Sequence, residues 1–403
     1  MRVRFVLFNA YLGGGTVRTT FLLAGELTRR GHDVEVVSVY RHLAEPQIQL
    51  PPGVRLRPLM PFAAADGPPR GAGARLARVL LGLLRRVPSV LSTRHDARYS
   101  QYSLAGDLML WRYLRTQRGS VVVGTRCGVN LALARSAPAG VKLVLQEHLH
   151  LGRAGPSLRR LYRRWYPRAA LVTTLTRVDA ERYRELLGPL VPVLALPNPA
   201  VAPSGSRGDG RLPVVVAAGR LSRQKGFDLL IRAWMRVHRA HPTWTLQIYG
   251  AGPRRPRLAR MIENRGLASS VRLEGFTPHL QERLAEAGVF VLSSRFEGFP
   301  MVLIEAMSAG TPVVAYDCPT GPAELVTDDV DGLLVQPQSV TGLAEALSRL
   351  LADPAQRQRL GDAGRARVAE LALDRVAARW EHVLAGLPGG SDTPAGVGEG
   401  AVS

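Results

Sequence analysis

Cysteine is nearly absent from this chain of 403 residues: Cys127 and Cys318 are the only two. They fall in segments that read as different domains, so a disulfide framework is excluded and a reducing compartment, the cytosol, is expected. Lysine is as scarce. Lys142 and Lys225 are the two, and the other 51 of the 53 basic residues are arginine. There is no apolar run of about 18 residues, so no membrane-spanning helix is expected. No leader peptide is expected either, because residues 3–10 read as a strand that runs straight into a glycine loop. The glycines do not spell G-x-G-x-x-G and no acid closes the second strand, which argues against a dinucleotide fingerprint. No carboxylate or histidine cluster has metal-ligand spacing. Asp329-Val330-Asp331 runs into Gly332 and reads as turn chemistry, so no metal and no cofactor are expected. No solenoid repeat is present.

The length suggests two domains with ample chain for two cores. Charge is unevenly placed. Residues 1–200 hold 30 Lys and Arg against 11 Asp and Glu, a net of +19, while residues 201–403 hold 23 against 21. A genome biased toward arginine codons would load both halves, so the asymmetry points to an anionic partner for the first half. Residues 75–87 read as a basic amphipathic helix, with Leu76, Val79, Leu80, Leu83, Leu84 and Val87 at helical spacing among arginines. That pattern suits a membrane interface or an ordinary surface helix. Residues 157–168 add five arginines among Leu158, Leu161, Tyr162, Trp165 and Tyr166, which suits lipid headgroups or RNA stacking.

Two stretches of the second half carry the chemistry. Residues 288–292 read as a buried parallel strand, followed by Ser293-Ser294-Arg295-Phe296-Glu297-Gly298-Phe299-Pro300 and then a helix containing Glu305. Ligands of doubly wound sheets collect outside the carboxyl ends of strands. Backbone N–H groups at Gly298, Phe299 and the helix start suit a phosphate, and Glu297 and Glu305 suit sugar and ribose hydroxyls. A surface Glu and a Glu at a helix N-terminus are the bland alternative. Residues 214–218 read as a second apolar strand whose loop, 219–226, carries Arg220 and Lys225, two cations suited to a diphosphate.

Together these loops resemble the C-terminal domain of the retaining, GT-B-fold glycosyltransferases of family 4, which show a Gly-Arg…Lys-Gly loop and a Glu-x7-Glu pair. The resemblance covers most of residues 1–385 and is most specific from 213 to 335. It implies an α/β architecture of two Rossmann-like, doubly wound parallel-sheet domains facing across a cleft. The expected divisions are 1–198 on the acceptor side, 199–371 on the nucleotide-sugar side, 372–386 as a helix crossing back, and 387–403 as a disordered tail. The resemblance further implies a glycosyltransferase. It would move a hexose or N-acetylhexosamine from a nucleotide diphosphate sugar, with UDP favoured and GDP open, to a lipid-linked or cell-envelope glycan or polyol. The product linkage would be α, and no essential metal is implied. Arg220 and Lys225 would meet the leaving diphosphate, Glu297 the transferred sugar and Glu305 the ribose. Gly14 and Gly15, in the 13–15 glycine loop after the first strand, would approach the diphosphate. Gly250, Gly252 and Phe276 would lie near the nucleotide, with Gly298, Phe299 and Pro300 at the phosphate.

After the strand at 141–145, the resemblance places a histidine at the transferred sugar. His148 matches, with His150 as the competitor. The protein is expected to be cytoplasmic, peripheral at the inner face of the plasma membrane, with an anionic membrane surface as partner of the basic domain. No nucleic acid is expected as partner, since no nucleic-acid-binding motif is present. The alternatives are another GT-B enzyme, such as a UDP-sugar epimerase, or a basic nucleic-acid- or membrane-binding protein without catalysis.

Overall fold

The computed structural model describes residues 1–60, 72–200 and 211–388, with side chains from 79 onward in the helix that begins at 72. The expected glycine-rich turn at 205–210, part of the proline-rich connection at 46–69 and nearly all of the tail at 387–403 lie outside the described residues. The chain forms two compact units: Met1–Leu196 with the C-terminal segment from Ala377, and Pro197–Val376.

The first unit runs β1 (Arg2–Leu7), α1 (Gly15–Arg29), β2 (Asp33–Ser38), β3 (Arg55–Pro58), α2 (Ala72–Arg86), α3 (Leu104–Arg115), β4 (Val121–Gly124), α4 (Cys127–Ser136), β5 (Lys142–Glu147), α5 (Pro156–Trp165), β6 (Leu171–Thr174), α6 (Arg177–Leu187) and β7 (Val193–Ala195). All its strands are parallel, in the order β3-β2-β1-β4-β5-β6-β7. Central strands such as β4 are buried along their whole length, as continuous apolar runs covered by helices on both faces must be, while edge strand β3 alternates. The strand at 171–174 reads from the sequence as the last of this unit. The structure adds β7 beyond it, inside the proline-rich stretch that reads as a linker, and Arg184 Nε donates to Val193 O at 3.1 Å.

The second unit runs β8 (Leu212–Ala218), α7 (Phe227–Ala240), β9 (Thr245–Tyr249), α8 (Arg255–Glu263), β10 (Val271–Gly275), α9 (Leu280–Glu286), β11 (Ala287–Leu292), α10 (Met301–Ser308), β12 (Val313–Tyr316), α11 (Pro322–Leu325), β13 (Leu333–Val335), α12 (Val340–Ala352) and α13 (Pro354–Val368). Its six parallel strands take the order β10-β9-β8-β11-β12-β13. Their core is built on Trp234, Leu230, Ile248, Phe290 and Leu347, all fully buried. A last helix, α14 (Leu373–Ala385), starts in the second unit and passes into the first. There Trp380 meets the edge of Phe5, and Glu381 binds His32 Nε2 at 2.9 Å and Arg30 at 3.2 Å. Lys142, one of the two lysines, donates to Leu387 O at 2.8 Å and holds this end in place.

The second basic stretch differs from the sequence reading. On α5, Leu158 and Tyr162 are buried, and Tyr166 just beyond it stacks with Tyr162 and Tyr183 in the core. These rings cannot serve headgroups or RNA, because the apolar side of this amphipathic helix closes onto its own unit, against α4 and α6. On α2, Leu84 packs on the core, whereas Val79, Leu80 and Leu83, and Val87 just beyond the helix, stay exposed.

Candidate active site

In the second unit the strand order reverses between β8 and β11, since β9 and β10 lie to one side and β12 and β13 to the other. Their carboxyl-end loops carry Arg220 with Lys225, and Glu297 with Gly298, Phe299 and Pro300. Such a reversal opens a crevice at the strand ends.

The two loops are tied together through backbone. Arg295 N donates to Gln224 O at 2.8 Å, Gln224 Nε2 to Phe296 O at 3.1 Å, and Ser293 Oγ to Lys225 O at 2.9 Å. Arg295 also forks onto Asp228 at 2.9 and 2.7 Å, which draws the start of α7 against the Glu297 loop. Gly226 makes this approach possible. Its φ is +64°, and a Cβ there would stand 1.9 Å from Ser293 O.

The result is a buried ion pair. Lys225 Nζ lies 2.7 Å from Glu297 Oε1, with the side chains 17% and 6% exposed. Ser294 Oγ donates to the same oxygen at 2.5 Å. From the other side, Glu297 N donates to Pro319 O, and Thr320 Oγ1 donates to Glu297 O at 3.2 Å. Arg220, by contrast, is exposed, and no partner for it is found among the described residues. One cation is thus held against a carboxylate while the other points to solvent.

The remaining expected residues gather round this pair in part. Gly250 has φ +134°, and a Cβ there would meet Gly219 O at 2.0 Å, so its loop lies flat on the Arg220 loop. Leu221 N donates to Ala251 O at 2.9 Å, which brings Gly252 alongside too. Gly250 N donates to Gly275 O at 2.6 Å, which puts Phe276 next in line, with its ring 81% exposed. Pro300 caps α10 and is buried, Gly298 and Phe299 are half-buried, and Glu305 is buried on α10. Asp329 and Asp331 act in a turn: Asp331 Oδ1 accepts from Thr327 N, and Asp329 takes a positive φ and pairs with Arg349 and Arg359.

In the first unit, Gly14 caps α1 and Gly15 opens it at the carboxyl end of β1; both are exposed with open space around them. His148 follows β5 two strands away on the same edge. Its Nε2 is enclosed without a hydrogen-bond partner, and burial pushes its pKa down to about 4, so the ring is neutral near pH 7. His150, half-buried, is shifted down by burial with Asp179 acting against that shift.

A residue absent from the sequence reading anchors this turn. Glu147, the last of β5, is fully buried and accepts from the Tyr166 hydroxyl and from Asn130 Nδ2 at 2.7 Å. Burial pushes its pKa up to about 7, against those two donors. A Glu closing an apolar strand, beside His148, was the available signal. Asp96 is equally hidden: burial raises its pKa, but the Arg126 fork at 2.6–2.8 Å prevails and holds it below the ordinary range. Cys127 and Cys318 are buried free thiols. Among the described residues no helix is long and apolar enough to cross a membrane.

Residues 14–199 match the profile described as "Glycosyl transferase 4-like domain", and residues 205–367 that of "Glycosyl transferases group 1". The chain is 34% identical to an exopolysaccharide phosphotransferase of Streptomyces coelicolor over 98% of its own length and 42% of that relative's. It thus spans under half of that protein. It is 29% identical to a lipopolysaccharide core biosynthesis glycosyltransferase of Rhizobium meliloti, over 68% of this chain and 78% of the relative. The solved structure of TarM from S. aureus, in complex with UDP and alpha-GlcNAc-glycerol, aligns with a TM-score of 0.74 at 13% identity, over 95% of this chain and 99% of that one. At that identity the likeness concerns the fold, which is GT-B.

Proposed function

Because the chain belongs to the group 1 glycosyltransferases, we propose that it transfers a hexose or N-acetylhexosamine from a nucleotide diphosphate sugar to a hydroxyl of a cell-envelope glycan or polyol. The observation that carries this reading is the arrangement at the β8/β11 reversal: an ion pair of Lys225 with Glu297, and on the same loop as Lys225 an exposed Arg220 with no partner among the described residues. In this reading Arg220 and Lys225, on one loop, serve the diphosphate, and Glu297 serves sugar hydroxyls. In this reading Glu305 accepts from ribose hydroxyls, and Gly250, Gly252, Phe276, Gly298, Phe299 and Pro300 supply backbone and surface to the donor; Gly14 and Gly15 offer backbone to a phosphate within the first unit. UDP is the favoured nucleotide, supported by the UDP named with TarM.

In the proposed reaction the acceptor oxygen forms a bond to the anomeric carbon on the face that the diphosphate leaves. The carbon–oxygen bond to the diphosphate breaks with its electron pair, and the departing phosphate oxygen takes the acceptor's proton. The configuration is retained and the new linkage is α. Arg220 and Lys225 offset the growing charge, so the reading asks for no resident metal. Neutral His148, in the first unit, can donate or accept one hydrogen bond without adding charge. The acceptor is read as lipid-linked, the protein as cytoplasmic, and the basic first unit as its contact with an anionic membrane surface.

A thermal-shift screen of nucleotides and nucleotide sugars, followed by product analysis with acceptor, tests this reading. UDP should raise the melting temperature of the wild type and raise it far less in Arg220→Gln. A protein that no nucleoside diphosphate stabilises would refute it, and conversion of UDP-sugar without acceptor would favour an epimerase.

A further inference from the structure

We propose that a cavity beside α3 in the first unit binds the phosphate of an anionic lipid headgroup, while the aliphatic face of α2 enters the surrounding lipid. This deepens the membrane-contact part of the reading above and does not depend on sugar transfer. The cavity holds about 630 Å³, and its lining includes the apolar Val90, Leu108 and Trp111 and the basic Arg115, Arg118 and Arg168. It is separate from the candidate active site. Arg115 and Arg118 lie on the connection entering the amino end of β4, and Arg168 just before β6, whereas Gly14 and His148 leave the carboxyl ends.

Two other charged residues line the cavity, and neither satisfies these arginines. Arg135 Nη1 is spent on the carbonyls of Val90, Leu91 and Ser92 at 3.2, 2.9 and 3.0 Å. The Asp107 carboxylate accepts from Ser89 Oγ, Val90 N and Leu91 N. Arg115, Arg118 and Arg168 have no carboxylate within ion-pair range among the described residues. Arg115 stacks on Trp111 at 4.7 Å and Arg168 on Trp165 at 5.9 Å, geometries that leave the N–H edges of a guanidinium open. Three guanidinium forks around one hollow are matched by a phosphate.

The apolar surroundings decide which phosphate. Val79, Leu80 and Leu83 on α2 and Val87 just after it are 43–61% exposed, and Val90 and Trp111, in the cavity wall, are 66% and 40% exposed. Leu81 and Leu84 turn inward to the core, so the opposite face of α2 is directed away from it. A soluble polyanion would gain nothing from this aliphatic surface, while a bilayer would cover it.

The test is co-sedimentation of the full chain with phosphatidylglycerol-containing vesicles and with pure phosphatidylcholine vesicles. Binding should require phosphatidylglycerol. Neutralising one arginine should weaken it about fivefold, and Arg115→Gln/Arg118→Gln/Arg168→Gln together on the order of a hundredfold. Leu80→Ser/Leu83→Ser should weaken it as well. The control Arg257→Gln/Arg260→Gln/Arg265→Gln, on exposed arginines of the second unit, should leave it within about twofold. Melting shifts with UDP, run on the same proteins, report the donor site separately, so loss of either reading is seen alone. Should the triple variant fail to fold, quenching by brominated acyl chains replaces it: wild-type fluorescence should be quenched, and Trp111→Phe should remove most of the quenching. Equal losses in the pocket and control variants would overturn the site. So would displacement by soluble poly(glycerol phosphate) with no effect of Leu80→Ser/Leu83→Ser, which would make the ligand a polyanion.

Discussion

Replacing Lys225 by Met should show how strongly the fold depends on the ion pair at the candidate site. The ammonium and the Glu297 carboxylate are 2.7 Å apart and largely out of water, at 17% and 6% exposure. Removing one member of a buried pair costs about 3–5 kcal/mol, because the other charge remains unpaired. Glu297 keeps the Ser294 hydroxyl, and Lys225 is not wholly enclosed, so the lower end applies: about 3 kcal/mol at pH 8. Lys225→Met/Glu297→Gln should recover most of the loss at pH 8, since the uncompensated charge is gone. Urea unfolding at pH 8 measures all three proteins. Additive single and double effects would show that the two groups are not coupled.

Arg220→Gln should leave urea stability within about 0.5 kcal/mol, because this exposed side chain has no partner among the described residues, yet weaken UDP binding by about 10- to 100-fold in calorimetry. Glu147→Gln should flatten one part of the stability–pH curve. With a folded pKa of about 7 against an ordinary 4.5, Glu147 favours the folded state at low pH, and about 3 kcal/mol of relative stability is lost between pH 4.5 and 7 in the wild type but not in the variant. Gly226→Ala should cost about 3 kcal/mol or more, as its Cβ would press on Ser293 O, and should abolish donor binding by parting the two loops; unaltered UDP affinity would argue against that coupling.

Much of the second unit was legible in the sequence. The apolar runs at 214–218 and 288–292 are strands buried by helices on both faces, which leaves no room for polar alternation. Gly226 and the eight-residue step from Glu297 to Glu305 were visible for the same local reason: a strand, a tight loop and a helix start make sequence-near demands. The first unit was harder. β7 lies among prolines and has three residues, so it carries no periodicity, and it is a strand because β6 leaves an edge for it to pair with. The aromatics at 162 and 166 looked suited to an interface because amphipathicity marks an apolar face without saying what covers it; Tyr183, on another helix, does.

What the sequence determined by itself was the alternation of elements, the glycine turns and the residue types placed at strand ends, all of which follow from backbone sterics and hydrophobic period over short spans. Only the tertiary structure decided that Lys225 faces Glu297 across 72 residues, that Glu147 is sealed under Tyr166, and that three arginines share one hollow with Trp111. These depend on which strands become neighbours. That choice rests on the summed packing of two cores, and no local stretch of sequence encodes it.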